Sequence, residues 1–371
     1  MRTEEIYGIF RKATGVSTDS RTTKPGELFF ALSGPNFDGN RFAAAALRSG
    51  AIAAVIDDPD HETENTILVD DSLRELQLLA TKVRNDLKAK VIAVTGSNGK
   101  TTTRELITAV LSSRYNAFST PGNLNNHIGL PLTILAAPSD SEYLVVEMGA
   151  NHIGEIARLC TIARPDTGVV TNIGSAHIEG FGSLEGVIRA KSELYEYLRK
   201  TGGVAFYDDH DELLTELIYK MVVKAVPYSD PTGTDIHISI RPEELFLSGE
   251  VYFEGKKFGF STNLFGEHNR QNIRAALAVG LFYGVPLDDA VSAIGKYVPD
   301  NNRSQVVKTA SNTLICDSYN ANPVSMANAI TAFASLPDKG KVCILGDMRE
   351  LGPSAGDVHN RIMKLVKVRG L

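Results

Sequence analysis

The chain is short of cysteine, long apolar runs and net positive charge, and each shortage closes off a class of protein. Its three cysteines, Cys160, Cys316 and Cys343, are far apart and odd in number. No disulfide framework or zinc pattern can be built from them, so a reduced setting is expected, that of the cytoplasm. No window reaches the ~18 consecutive apolar residues of a membrane-spanning helix, so no membrane insertion is expected. The N-terminal residues lack the apolar core of a secretion signal. A net charge of −6 over 371 residues argues against a general binder of nucleic acid or of membrane surfaces. Such a chain must concentrate its Lys and Arg locally to handle an anionic ligand. There is no internal repeat and no low-complexity segment. What remains is an ordinary globular composition, 43% hydrophobic and 22% charged, long enough for two or three domains.

The chain is organised around Lys90 to Thr103. Val91 to Val94 is a β-branched, apolar run and reads as a buried strand. A glycine turn follows (Gly96, Ser97, Asn98, Gly99), then Lys100, Thr101 and Thr102, then a helical pattern from Arg104 to Ser112. Strand, glycine loop, Lys-Thr and helix are the parts of a phosphate-binding loop. The glycines let backbone N–H groups approach an anion, and the helix N-terminus adds a favourable dipole. In this reading Lys100 reaches the β- and γ-phosphates of ATP, and the Thr101 hydroxyl meets Mg²⁺. The usual spacing has a further glycine five residues before Gly99, where this chain has Val94. A plain strand-to-helix turn is the competing reading.

Residues 1–88 read as a small α/β unit. Ser17 to Arg21 precedes a turn at Lys24-Pro25-Gly26, and a buried strand, Leu28 to Leu32, runs into the loop Ser33 to Asn40. A helix (Arg41 to Ser49) and a strand (Ala51 to Ile56) follow, and Ser72 with Glu75 reads as a capping box for a third element. Ser20 and Arg21 suit a phosphate or sugar. Turn chemistry explains them equally well.

Residues 89–298 alternate strand and helix as a parallel sheet does. The strand Tyr143 to Glu147 ends in a carboxylate at the ligand edge of that sheet, a plausible Mg²⁺ ligand or a helix cap. The strand Thr167 to Thr171 leads to His177 at the same edge. Magnesium prefers oxygen, so a histidine ligand there would be unusual. The spacing of Lys191 and Glu193, on a helix from Leu184 to Arg199, says only that this is a solvated face. Four short alternating runs between Asp235 and Asn263 read as a small antiparallel insert. Asn269 and Asn272 share one face of a helical first turn, where they bond a base, bond a loop or cap the helix. Residues 299–371 hold a strand (Thr313 to Cys316), the motif Asp317 to Pro323, a helix, a strand (Val342 to Asp347) and a final helix. This is the start of a doubly wound domain, short of the usual ~100–150 residues.

Taken together these segments resemble the Mur ligases, and within them the MurF type. The motifs are Ser17 to Arg21, Thr95 to Thr103, Gly122 to Pro131, Glu147 to Ile156, Thr171 to Gly182, Ala190 to Glu193, His268 to Ala276, Asp317 to Pro323 and Gly346 to Gly352. The resemblance implies a three-domain α/β architecture. A small N-terminal domain (1–88) holds the UDP end of the substrate. A central P-loop domain with an antiparallel insert (89–298) holds ATP. A partial Rossmann-like C-terminal domain (299–371) closes on it. The resemblance also implies an ATP-dependent ligase that joins D-alanyl-D-alanine to UDP-N-acetylmuramoyl-tripeptide through an acyl-phosphate, in peptidoglycan synthesis, as a cytoplasmic monomer.

Residue by residue, the resemblance assigns Ser20, Arg21, Ser33 and Asn36 to the UDP-substrate. It assigns Gly96 to Thr102 to ATP phosphates, with Lys100 catalytic. It gives Thr101, Glu147 and His177 to magnesium, two ions in all. Lys191 matches a lysine that CO₂ converts to a carbamate, in effect a long acidic side chain for the second ion. Asn269 and Asn272 match the adenine side, and Arg303 and Asp317 match residues that close on ATP. Asn320 and Asn322 are candidates for the D-Ala-D-Ala side. Asn302-Arg303 stands where Gly-Arg is expected, and the C-terminal domain is shorter than the family's. The alternatives are another Mur-like amino-acid ligase, a non-catalytic nucleotide-binding protein and a general P-loop ATPase or kinase.

Overall fold

The computed structural model describes residues 2–174, 178–232, 236–240, 245–338 and 340–371. The chain divides into two compact units.

The first unit comprises 1–89, 123–141 and 158–164. Its sheet has four parallel strands in the order Val16–Ser17, Leu28–Phe30, Ala53–Ile56, Thr66–Leu68. Phe29, Ala31, Ala43, Ala46, Ala54 and Ile56 are packed out of water beneath it. The loop expected after Leu32 forms a minimal hairpin, Ser33–Gly34 against Phe37–Asp38. The helix Ser72–Asp86 starts one residue earlier than the capping-box reading has it. Asp71, not Ser72, is the cap, accepting from the Arg74 N–H at 2.8 Å. A carboxylate is at least as good a cap there, and it complements the helix dipole. Ser72 is buried and bonds the Ala31 carbonyl, while Glu75 accepts from Thr3.

The second unit is built on a six-stranded parallel sheet. Its order is Ala225–Pro227, Val204–Tyr207, Thr167–Val170, Lys90–Thr95, Tyr143–Glu147, Ala117–Ser119. The strand Lys90–Thr95 has neighbours on both sides, which is why its residues from Val91 on are uniformly apolar or small and buried. Register aligns Val94 with Glu147 and Thr95 with Val170, so three strand ends meet at one edge. The helix Lys100–Ser112 packs on Arg270–Phe282 and Leu287–Lys296. Leu106, Ile107 and Val110 join Ile273, Leu277 and Ile294 in the core.

Among the described residues the antiparallel insert has three strands rather than four runs: His237–Ile240, Ser248–Phe253 and Lys256–Ser261. The run ending at Leu247 folds into the pairing of its neighbours, since Leu247 exchanges backbone hydrogen bonds with Thr262 and Leu264. Residues 299–371 contain an antiparallel pair, Gln305–Lys308 with Thr313–Cys316, and two helices, Pro323–Ser335 and Ala355–Val368. The strand expected at Val342 to Asp347 does not form. Val342 is 76% and Ile344 95% exposed. Among the described residues no strand lies alongside to accept its hydrogen bonds, and an apolar run without a ladder partner has no reason to extend.

Candidate active site

The glycine loop is shaped by its neighbours. Gly96 has φ +143°, and a Cβ there would lie 2.0 Å from Thr171 Oγ1, so only glycine fits. Gly99 has φ +78°, and a Cβ there would meet Asn272 Oδ1 at 2.5 Å. The segment after the strand Thr167–Val170 holds the loop from outside. Thr171 Oγ1 donates to the Asn98 carbonyl at 2.6 Å. Asn172 Oδ1 accepts from the Asn98 N–H, and Ser97 Oγ exchanges bonds with Gly174. Thr171 and Asn172 have no role in the sequence reading. Their position at the end of a strand beside Lys90–Thr95 is the signal that would have found them.

Lys100 Nζ donates to the carbonyls of Gly96 at 2.8 Å and Ser97 at 3.1 Å, so its ammonium lies inside the turn. Burial pushes its pKa down, with Glu147 opposing and Arg303 assisting the shift. Thr101 and Thr102 are buried at the helix start. Glu147, 1% exposed, ends its strand with Arg104 Nη1 3.5 Å away. Thr120 Oγ1 takes the Glu147 N–H.

Lys191 overturns the solvated-face reading. It is 2% exposed, because Val187, Lys191, Leu194 and Leu198 form the inward stripe of the helix Leu184–Thr201. Burial, reinforced by the charge of Lys100, brings its pKa down to about 7. Glu193 is buried too and accepts from the backbone N–H groups of Gly154 and Ala157. His177 lies outside the described residues.

Asn269 and Asn272 bond each other at 2.8 Å. Asn269 also donates to Phe265, and Asn272 accepts from Thr103. The pair is therefore built into the wall behind Gly99. Arg303 stacks on the Tyr319 ring at 3.8 Å. The residues on either side of it, Asn302 (φ +55°) and Ser304 (φ +49°), are left-handed. This accounts for the expected glycine at 302: the position wants φ > 0, which Asn tolerates best after Gly. Asp317 accepts from the Ser304 N–H at 3.0 Å. Asn322 caps its helix and also donates to Asn98 Oδ1 at 2.5 Å, so it reaches the phosphate loop itself. Asn320 is exposed and bonds the Ala321 N–H.

In the first unit, Ser20 and Arg21 follow one strand, and Ser33 and Asn36 follow its parallel neighbour. All four therefore sit at the same sheet edge. Arg21 is exposed and pairs with Asp19, whose carboxyl it holds down at about 2.

The donor set suits magnesium. A buried carboxylate and a threonine hydroxyl are hard oxygen ligands at one sheet edge, and the surrounding Lys100 and Arg104 favour polyphosphate. An ammonium at Lys191 would repel a metal ion, whereas a carbamate would attract it.

Comparison with known proteins gives the same family along nearly the whole chain. Family models match at residues 12–109 (Mur ligase family, catalytic domain), 94–280 (Mur ligase middle domain) and 302–370 (Mur ligase, glutamate ligase domain). The UDP-N-acetylmuramoyl-tripeptide–D-alanyl-D-alanine ligase of Bacillus subtilis (strain 168) is 40% identical over 354 residues, 93% of this chain and 76% of its own. That of Escherichia coli (strain K12) is 35% identical, over 99% of this chain and 82% of its own. The crystal structure of MurF from Acinetobacter baumannii superposes with a TM-score of 0.87 at 30% identity, covering 98% of this chain and 83% of that one. MurF ligase from Thermotoga maritima in complex with ADP gives 0.85 at 29%, covering 97% and 83%.

Proposed function

Because the chain belongs to the Mur ligase family, we propose that it is the MurF-type, ATP-dependent ligase that joins D-alanyl-D-alanine to UDP-N-acetylmuramoyl-tripeptide in peptidoglycan synthesis. The observation that carries this reading is the convergence of a glycine loop whose half-buried Lys100 is held inside the turn, a buried carboxylate at Glu147 and a buried lysine at Lys191. Among the described residues no helix is long and apolar enough to cross a membrane. We place the reaction in the cytoplasm, with a monomer acting on small molecules and no nucleic acid.

The work divides among three parts, 1–88, 89–298 and 299–371. Ser20, Arg21, Ser33 and Asn36 recognise the UDP end. Gly96 to Thr102 hold the ATP phosphates. Lys100 and the N–H groups at the helix start, Lys100 to Thr102, face the anion. Gly96, Ser97, Asn98 and Gly99 shape the loop, the N–H groups of Ser97 and Asn98 being taken by Asn172. Asn269 and Asn272 shape the wall towards the adenine, and Arg303 and Asp317 close on the nucleotide. Asn320 and Asn322 serve the dipeptide side. Thr101 and Glu147 hold magnesium, with His177 and carbamylated Lys191 completing a two-ion set. Magnesium, when bound, offsets phosphate charge and orients the γ-phosphoryl group.

The tripeptide carboxylate attacks the γ-phosphorus, the bond to the bridging oxygen breaks, and ADP leaves. The acyl-phosphate carbon then takes the amine of D-Ala-D-Ala, inorganic phosphate leaves, and the amine loses a proton. Lys100 steadies the γ-oxygens through its ammonium N–H groups. Two anions must be brought together and water kept out, so positioning and electrostatics dominate and no protein nucleophile is required.

Lys191 suits the carbamate. Its amine, held near pKa 7, is largely neutral just above neutrality, the form that adds to CO₂ with loss of a proton. The deciding experiment is phosphate release from ATP with Mg²⁺ and UDP-N-acetylmuramoyl-tripeptide, with and without D-Ala-D-Ala. The expected result is dipeptide-dependent release with a pentapeptide product by mass spectrometry. Release that ignores the dipeptide, or failure to bind the UDP-substrate, refutes the assignment.

A further inference from the structure

Arg104 faces two carboxylates from the middle of the core. It is 2% exposed. Nη1 bonds the Gly122 carbonyl at 2.8 Å and lies 3.5 Å from Glu147 Oε2. Nη2 bonds Glu105 Oε1 at 2.6 Å. Glu105 in turn collects donors from a segment almost two hundred residues away in the chain. Tyr297 Oη donates to Oε2 at 2.5 Å, and Asn301 Nδ2 lies 3.1 and 2.9 Å from the two oxygens. Burial and then the Glu105 charge push the Tyr297 phenol far up, so it stays a donor. Tyr297 follows the helix Leu287–Lys296, whose end is fixed where Asn263 donates to the carbonyls of Gly295 and Tyr297. Two residues beyond Asn301 comes Arg303. The path therefore runs Glu147, Arg104, Glu105, Tyr297 and Asn301, Arg303.

We propose that Glu105 is a positioning residue. It fastens the segment 297–303 to the nucleotide helix and, through the shared guanidinium, makes the hold on that segment depend on the state of Glu147. The proposal rests on Glu147 being a magnesium ligand. One buried guanidinium serves two carboxylates here. Where Glu147 gives its charge to magnesium, Arg104 is left to Glu105 alone, and the Arg104–Glu105 pair strengthens. Breaking this hydrogen-bonded pair leaves the buried Arg104 guanidinium short of a partner, while Glu105, 21% exposed, keeps some access to water, so the cost falls mainly on Arg104. A tightened Glu105 in turn holds Tyr297 and Asn301, and with them the approach of Arg303.

The test is backbone hydrogen exchange over 297–303, measured with ADP alone and with ADP plus Mg²⁺. Wild type, Glu105→Gln, Tyr297→Phe, Asn301→Ala and Glu147→Gln are compared, with kcat and KM for ATP alongside. In wild type, Mg²⁺ slows exchange about tenfold. Glu105→Gln abolishes that slowing, keeps KM for ATP within about threefold and lowers kcat about ten- to a hundredfold. Tyr297→Phe and Asn301→Ala, which leave both carboxylates in place, give smaller losses in the same direction and decide the matter if Glu105→Gln does not fold. The proposal is overturned if the segment ignores Mg²⁺ in wild type, or if these three variants keep the wild-type response. Glu147→Gln separates the two readings. If it retains the Mg²⁺ dependence of ADP affinity, the metal assignment fails; if it loses that dependence while Glu105→Gln responds like wild type, only the present inference fails.

Discussion

Two stretches of this chain look alike in sequence and end up as opposites. Val91-Ile92-Ala93-Val94-Thr95-Gly96 and Val342-Cys343-Ile344-Leu345-Gly346-Asp347 are both apolar runs closed by a glycine. The first is the centre of a six-stranded sheet, and Ile92 is fully buried. The second forms no strand, and Ile344 is 95% exposed. Local propensity is the same in both, so the difference lies in what stands alongside. Lys90–Thr95 has a parallel partner on each edge, and strand identity is settled by those ladders as much as by the residues themselves.

The comparison makes predictions of decreasing size. If the first run exists to present the glycine loop and its lysine, Lys100→Ala lowers dipeptide-dependent phosphate release by about a thousandfold or more, with thermal unfolding little changed. An equal rate in a phosphate-release assay would detach the loop from the chemistry. Ile92→Ala removes a fully buried side chain between two strands, and denaturant unfolding should show a loss of about 2–5 kcal/mol.

Lys191 extends the same contrast to a helix, since a lysine expected in water is buried instead. Its folded pKa of about 7 lies below the unfolded value of ~10.4. The folded state therefore binds fewer protons between those values. The burial penalty is full below about pH 7 and fades as pH rises towards 10.4, so Lys191→Met stabilises the protein more at pH 6 than at pH 10. At fixed dissolved CO₂, CO₂-stimulated activity should rise at least about tenfold from pH 6 to 8, since both the neutral amine and the proton-releasing addition gain with pH. A flat profile argues against the carbamate. The smallest effect belongs to the second run: Ile344→Ala should move stability by no more than about 0.5 kcal/mol. A loss as large as that of Ile92→Ala would mean that this run is buried after all.

How far the sequence could be read depends on the same distinction. The glycine loop and the strand ending at Glu147 obey patterns that span a dozen residues, and the structure builds them where expected. Helical spacing misplaces Lys191 because it names a face without saying whether water lies beyond it. The cap moves by one residue, to Asp71, because two neighbouring polar residues compete for one role and the interior claims Ser72. The link from Glu105 to Tyr297 and Asn301 has no local signature, since its partners meet only after the helix Leu287–Lys296 packs on Lys100–Ser112. Asn302 is the opposite case. A departure from the expected glycine keeps the left-handed backbone that the glycine would have supplied.

The hydrogen bonds of Lys100 to Gly96 and Ser97 bear on selectivity among anions. A cation already held by two carbonyls of its own loop is not waiting for just any negative ion. A newcomer must outbid neutral oxygens that are covalently tethered, close and correctly oriented. Chloride, sulfate or a lone phosphate offers charge but little reach along the loop. In the nucleotide role proposed above, a triphosphate would engage the N–H groups at the start of the helix Lys100–Ser112 at several points and recover more than it displaces. In that role the two bonds of Lys100 set a threshold that a polyphosphate clears more readily than a single small anion.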